Sequence, residues 1–234
     1  MASKKYRYHQ IPPCPDPDRY VLVKTDEGYF WRRKRGTKKE ATLNTELSRR
    51  AGLAKHTAPA AKRILDMLSA FMTGMKKGRL VLRINALLVK SLQLQPVPDF
   101  KNFKGLELND GYPLELSYKG QWRISVDEES RTVTLLLKYI FVEPQNTLVS
   151  DYYFEAIVIW GDIMVESGLQ VRSESSPLFS FAAEPPADFA FQLPLPPAGA
   201  SWMLLLKLNC LEGNELAVHS KHYGLKVVGT DGNL

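Results

Sequence analysis

Only two cysteines, Cys14 and Cys210, occur among the 234 residues. Two thiols make no disulfide framework, so both are expected free, in a reducing compartment. Histidines number four, which leaves few choices for a general base or a metal ligand. The best spacing is His219-x-x-His222. On a strand, residues three apart point to opposite faces, so this pair is not expected to share an ion. No run of about 18 apolar residues is present, which excludes a transmembrane helix by the usual length argument. Met1 to Gln10 is polar and basic and lacks the apolar stretch of a secretory signal. The expectation is a cytoplasmic protein with no membrane partner. Neither a glycine-rich phosphate loop nor a Gly-x-Ser-x-Gly elbow occurs. No catalytic, cofactor-binding or metal-binding set emerges, and the chain reads as a non-enzyme.

Acid is scarce in the first half. Residues 1–105 carry eight Asp and Glu against 23 Lys and Arg, a net +15. Residues 106–234 carry 17 against eight, a net −9. Such segregation fits a basic half that seeks an external polyanion, or two halves that seek each other. Copies with opposite poles favour head-to-tail contacts. The leading expectation is therefore a binding or assembly protein with a protein partner or self-association. Nucleic acid is the alternative partner.

The chain divides by composition into three regions. Residues 1–42 form a basic N-terminal arm. Four prolines within 11–18 make it extended and stiff. Tyr20–Val23 and Tyr29–Trp31 flank a Gly28-containing turn, which suggests a β-hairpin. Trp31 is followed by Arg32, Arg33, Lys34 and Arg35. Aromatics beside cations suit nucleic-acid backbones. They equally suit an exposed basic strand anchored to its own fold.

Residues 43–95 are helical. Asn44 or Thr45 can cap a short helix that Gly52 ends. A second helix is expected to open at Pro59, where a missing N–H costs nothing, and to run to about Met75. Ala61, Ile64, Leu65, Leu68, Phe71, Met72 and Met75 line one face at helical spacing. A third helix, from about Arg79 to Leu94, is apolar nearly all round. Its cover is expected from the β region or from another copy. The Ala51-Gly52-Leu53 turn between two helices looks like a helix-turn-helix DNA reader over 44–77. Arg49, Arg50 and Lys55 would then meet phosphates, together with Lys62 and Arg63. Pro59, Ala60 and Ala61 leave that second helix few side chains to read bases.

Residues 95–105, with Pro96 and Pro98, mark a boundary. From 106 to 234, alternating strands at Trp122–Val126 and Val133–Phe141, with four later runs, predict an antiparallel β-sandwich of seven or eight strands. The fold class is α+β: a small helical hairpin region, then the sandwich. Asp127, Glu128 and Glu129 in a hairpin turn, with Glu143, Asp151 and Glu155, are the only carboxylates that suggest glycan hydrolysis.

Three stretches carry a resemblance: Asn-Thr-Glu-Leu-Ser-Arg-Arg-Ala-Gly-Leu from Asn44, Ala-Pro-Ala-Ala-Lys-Arg-Ile-Leu from Ala58, and Gly-Arg-Leu-Val-Leu-Arg-Ile from Gly78. The stretch that holds them, Thr42 to Leu92, is about a fifth of the chain. The pattern resembles a group of uncharacterised bacterial proteins of Bacteroidota type. That resemblance implies a basic helical N-terminal part and an all-β C-terminal part. It implies no activity, cofactor or catalytic residue.

Overall fold

The computed structural model describes residues 10–25, 28–34, 44–144 and 148–232. Two compact units meet in sequence between Ser48 and Arg49. In the first, β1 (Tyr20–Thr25) and β2 (Gly28–Arg33) form an antiparallel hairpin. The proline arm is tied to it, because the Trp31 indole N–H donates to the Pro12 carbonyl at 3.0 Å. The aromatic residue in the basic run thus anchors the arm to its own hairpin.

The second unit holds most of α1 (Thr45–Ser69), from Arg49 onward, with α2 (Leu80–Leu94) and a four-residue helix, α3 (Leu114–Ser117). Asn44 caps α1, its Oδ1 accepting from the Leu47 N–H at 2.8 Å. The expected break at Gly52 is absent: α1 runs unbroken through Gly52 and through Pro59. Both residues lie on the exposed side of the helix. Burial of Thr57, Ala60, Ala61, Ile64 and Leu68 on the other side holds the helix together. Packing along a whole face thus outweighs two local breakers. The helix also stops at Ser69 rather than Met75, although Met72 and Met75 remain buried beyond its end. Among the described residues, no helix is long and apolar enough to cross a membrane.

Among the described residues nine strands follow: β3 (Gln121–Asp127), β4 (Thr132–Lys138), β5 (Asp151–Gly161), β6 (Leu169–Ser175), β7 (Phe179–Ser180), β8 (Asp188–Pro194), β9 (Trp202–Glu212), β10 (Glu215–Leu216) and β11 (Tyr223–Thr230). They form two antiparallel sheets. The larger has six strands, with β9 between β5 and β11, and β5 between β9 and β6; the short strands β10 and β7 pair with β9 and β5. The smaller has the order β3-β4-β8. The count exceeds the expected seven or eight because β6, β7 and β10 carry little apolar alternation. The segment after the boundary prolines joins the larger sheet's edge, where Leu108 N–H donates to the Leu225 carbonyl at 2.8 Å.

The larger sheet is covered on both faces. Ile157 and Ile159 of β5, Met203 and Leu205 of β9, and Leu225 and Val227 of β11 pack against α1 and α2 through Ile64, Leu68, Ile84 and Leu88. The alternate residues Ala156, Val158, Leu204, Leu206 and Leu208 pack against Val133, Leu135 and Leu137 of β4 and Phe191 and Leu193 of β8. Strands buried on two faces read as continuous apolar runs, which accounts for Trp202–Leu206. The helical and β regions share one core. The sheet covers one face of α2, and the same helix leaves Leu82 61% exposed and Leu94 75% exposed.

Candidate functional site

Several concave regions of the second unit are lined by charged side chains. The first is the outer surface of the helical layer. Residues 44–95 hold ten Lys and Arg against two carboxylates, Glu46 and Asp66. The helices are clamped where the Thr57 hydroxyl donates to Asn85 Oδ1 at 2.5 Å and Asn85 Nδ2 donates to the Ala54 carbonyl at 3.2 Å. Outside that clamp lies a groove of about 400 Å³, lined by Arg50 and Ala54 of α1 and by Leu82, Asn85, Ala86, Val89, Lys90 and Gln93 of α2.

The predicted polyanion-binding residues divide into several groups. Arg49, Arg50, Lys55 and Lys62 are exposed on α1. Arg63 belongs to the fold instead. Its Nη2 donates to the carbonyls of Ile163 at 3.0 Å and Met164 at 2.9 Å, fastening the loop after β5. Spacing alone does not show which side of a helix meets a carbonyl, so nothing in the sequence sets Arg63 apart. Arg32, Arg33 and Lys34 are exposed at the end of the hairpin, in the other unit. Arg35 lies outside the described residues. The helix-turn-helix reading over 44–77 loses its turn, because Ala51-Gly52-Leu53 is helical.

The second region lies where β5 ends, β9 begins and β11 ends. A cleft of about 400 Å³ is lined there by Asp99, Lys101, Asp162, Ser201 and Asp231 among others. Asp99 is deeply held. Its N–H donates to Ser91 Oγ at 3.0 Å, the Ser91 hydroxyl returns a bond to Oδ1 at 2.8 Å, and Lys101 Nζ lies 3.5 Å from Oδ2. Ser201 Oγ accepts from the Phe100 N–H at 2.9 Å and bonds the Asp231 carboxylate. Burial, and then the negative charge of Asp99, push the Asp231 carboxyl above its ordinary value; Lys101 and Ser201 oppose the shift. Desolvation and a like charge both favour the neutral acid. The residues of this cleft come from three strand ends and the segment after α2, far apart in the chain, and no spacing in the sequence announces them.

Several other carboxylates are occupied structurally. Asp127 closes its turn: the Ser130 hydroxyl and N–H, and the Glu129 N–H, hold its carboxyl below the ordinary value. Across the sheet, Glu155 pairs with Lys207 at 3.3 Å. Lys226 is gripped by Glu107 at 3.0 Å and by Glu115. His219 and His222 bound a 3-10 turn rather than sitting in a strand, and their rings lie 6.4 Å apart. The opposite-face argument against a shared ion thus falls. Among the described residues, no group of three or more His, Cys, Asp or Glu is placed to hold a metal ion. Both cysteines are free, and burial pushes the Cys210 thiol up to about 12.

Comparison of the chain with protein-family models, with curated proteins and with solved structures gives no match.

Proposed function

We propose that this chain is a non-catalytic binding protein that presents its basic helical layer to an acidic protein partner. One observation carries the reading. The larger sheet takes up the apolar faces of α1 and α2, and cations stand on the faces turned away from it. In the β region, Lys119, Arg131, Lys207 and Lys226 are committed to neighbouring carboxylates. Among the described residues, no such ion pair engages Lys55, Lys62 or Lys90. Their field is left to act outward, where it speeds encounter with an acidic surface and selects against basic ones.

Nucleic acid fits this layer less well, because an unbroken α1 provides no short recognition helix set off by a turn. The acidic turn at Asp127 gives little support to hydrolysis, since its carboxylate is spent on backbone N–H groups.

The test is fluorescence anisotropy with labelled poly-glutamate as the probe. The wild-type protein binds at low salt and weakens as salt is added, as exposed charge contacts do. Combined Lys55→Glu, Lys62→Glu and Lys90→Glu substitution lowers affinity at least about tenfold, at roughly 0.5–1 kcal/mol per reversed contact. No binding at low salt, or affinity indifferent to the triple substitution, refutes the proposal.

A further inference from the structure

We infer that the groove between α1 and α2 seats an acidic amphipathic helix of the partner, an inference that rests on the binding role proposed above. The groove's chemistry is two-sided. Its apolar lining comes from Ala54, Leu82, Ala86 and Val89, and its only charged lining residues, Arg50 and Lys90, are cations. Leu82 is 61% exposed on a helix whose opposite side is fully packed. An isolated exposed leucine is ordinary. Here it sits at one end of a concave strip that runs through Ala86 and Val89 to Gln93.

The length of the strip selects the occupant. From Leu82 to Gln93 the helix rises about 16 Å, some three turns. Two neighbouring helices leave between them a furrow that a third helix fills by ridge-into-groove packing. A helix laid there presents apolar side chains at i, i+3 or i+4, and i+7 to the strip. Its flanks then face Arg50 and Lys90, so Glu or Asp on those flanks completes the match. The apolar lining offers nothing to a phosphate backbone, which is held by cations and polar groups. Among the described residues this chain has no acidic helix to supply. Residues 44–95, which contain α1 and α2, carry a net +8, and α3 has only four residues. The occupant therefore comes from another protein.

Two labelled peptides of about fourteen residues, four helical turns, test the inference. Both contain the same leucines and glutamates. In one the leucines fall on a single helical face, and in the other they are scattered. The amphipathic peptide is expected to bind at least about tenfold more tightly, since its leucines enter the apolar groove together. Ala86→Trp, at an exposed position where a larger side chain fills the groove without entering the core, abolishes that preference while circular dichroism stays unchanged. Lys90→Glu weakens the amphipathic peptide about five- to tenfold.

Equal binding of the two peptides, with salt dependence retained, overturns the groove assignment and leaves the wider binding role standing. Failure of both peptides to bind at low salt overturns both. Displacement of the amphipathic peptide by a short DNA duplex at lower concentration overturns the choice of a protein partner.

Discussion

Replacing Pro59 with alanine should make the protein more stable. Proline inside a helix lacks the N–H that would bond the carbonyl four residues earlier, here that of Lys55, and its ring crowds that carbonyl. The interior position costs about 3 kcal/mol relative to alanine. Alanine also frees the unfolded chain, which returns roughly 0.4–1 kcal/mol to that state. The difference is a gain of about 2 kcal/mol, or a rise in Tm of roughly 4–8 °C for a unit of this size. Nothing is lost in packing, because Pro59 is exposed while Ala60 and Ala61 beside it are buried. Urea unfolding followed by circular dichroism at 222 nm, with a thermal scan, measures the change. A midpoint unchanged or lowered by Pro59→Ala refutes the reasoning. It would mean that α1 needs a bend at this point to lie on the sheet.

Two further outcomes follow from the ties described. Arg63→Met keeps an apolar stem but removes two bonds from a charged donor to the carbonyls of Ile163 and Met164. A loss of about 1.5–3 kcal/mol is expected, with faster proteolysis in the loop after β5. Unaltered stability and cleavage would show that the loop is held by other means. Asp231 has its proton affinity raised in the folded state, so folding favours its neutral form. The associated stability is present below the ordinary aspartate value of 3.8 and is lost as pH rises through the raised value. Asp231→Asn, which keeps the neutral shape, should therefore raise Tm at neutral pH and give no advantage under acid conditions. An equal effect at both pH values would contradict the assigned cause.

How far the sequence speaks depends on the range over which its signals act. Val133, Leu135 and Leu137 alternate with polar residues, and their strand is found where the alternation places it. The unbroken apolar run from Trp202 predicts a strand, and its burial on both faces is what the two cores require. Of the two residues able to cap the first helix, Asn44 rather than Thr45 does so, on a helix longer than its local signals predict. Gly52 and Pro59 misled because their effects are local, whereas the burial that overrides them comes from strands more than ninety positions later. The long helix also shows why Arg63 resembled its neighbours: only the docked loop distinguishes an arginine that holds a carbonyl from a lysine that faces water. The cleft around Asp99 and Asp231 was invisible for a related reason. Its residues acquire meaning only when three strand ends and the segment after α2 converge. Part of the basic groove could be anticipated from charge counts. Its apolar strip could not, since Leu82, Ala86 and Val89 looked like any other residues of a helix expected to be buried all round.

The order in which the ribosome delivers these parts has a consequence of its own. The helices emerge before the sheet that shelters them, which is completed only when β9 and β11 appear well over a hundred residues after α1. Until then the nascent molecule carries an oily helical pair and a half-built sheet, whose long-range pairings form slowly. Such an intermediate is vulnerable to clumping at ordinary cellular concentrations. Synthesis in a cell thus favours chaperone protection of the growing chain until β9 and β11 are free to fold.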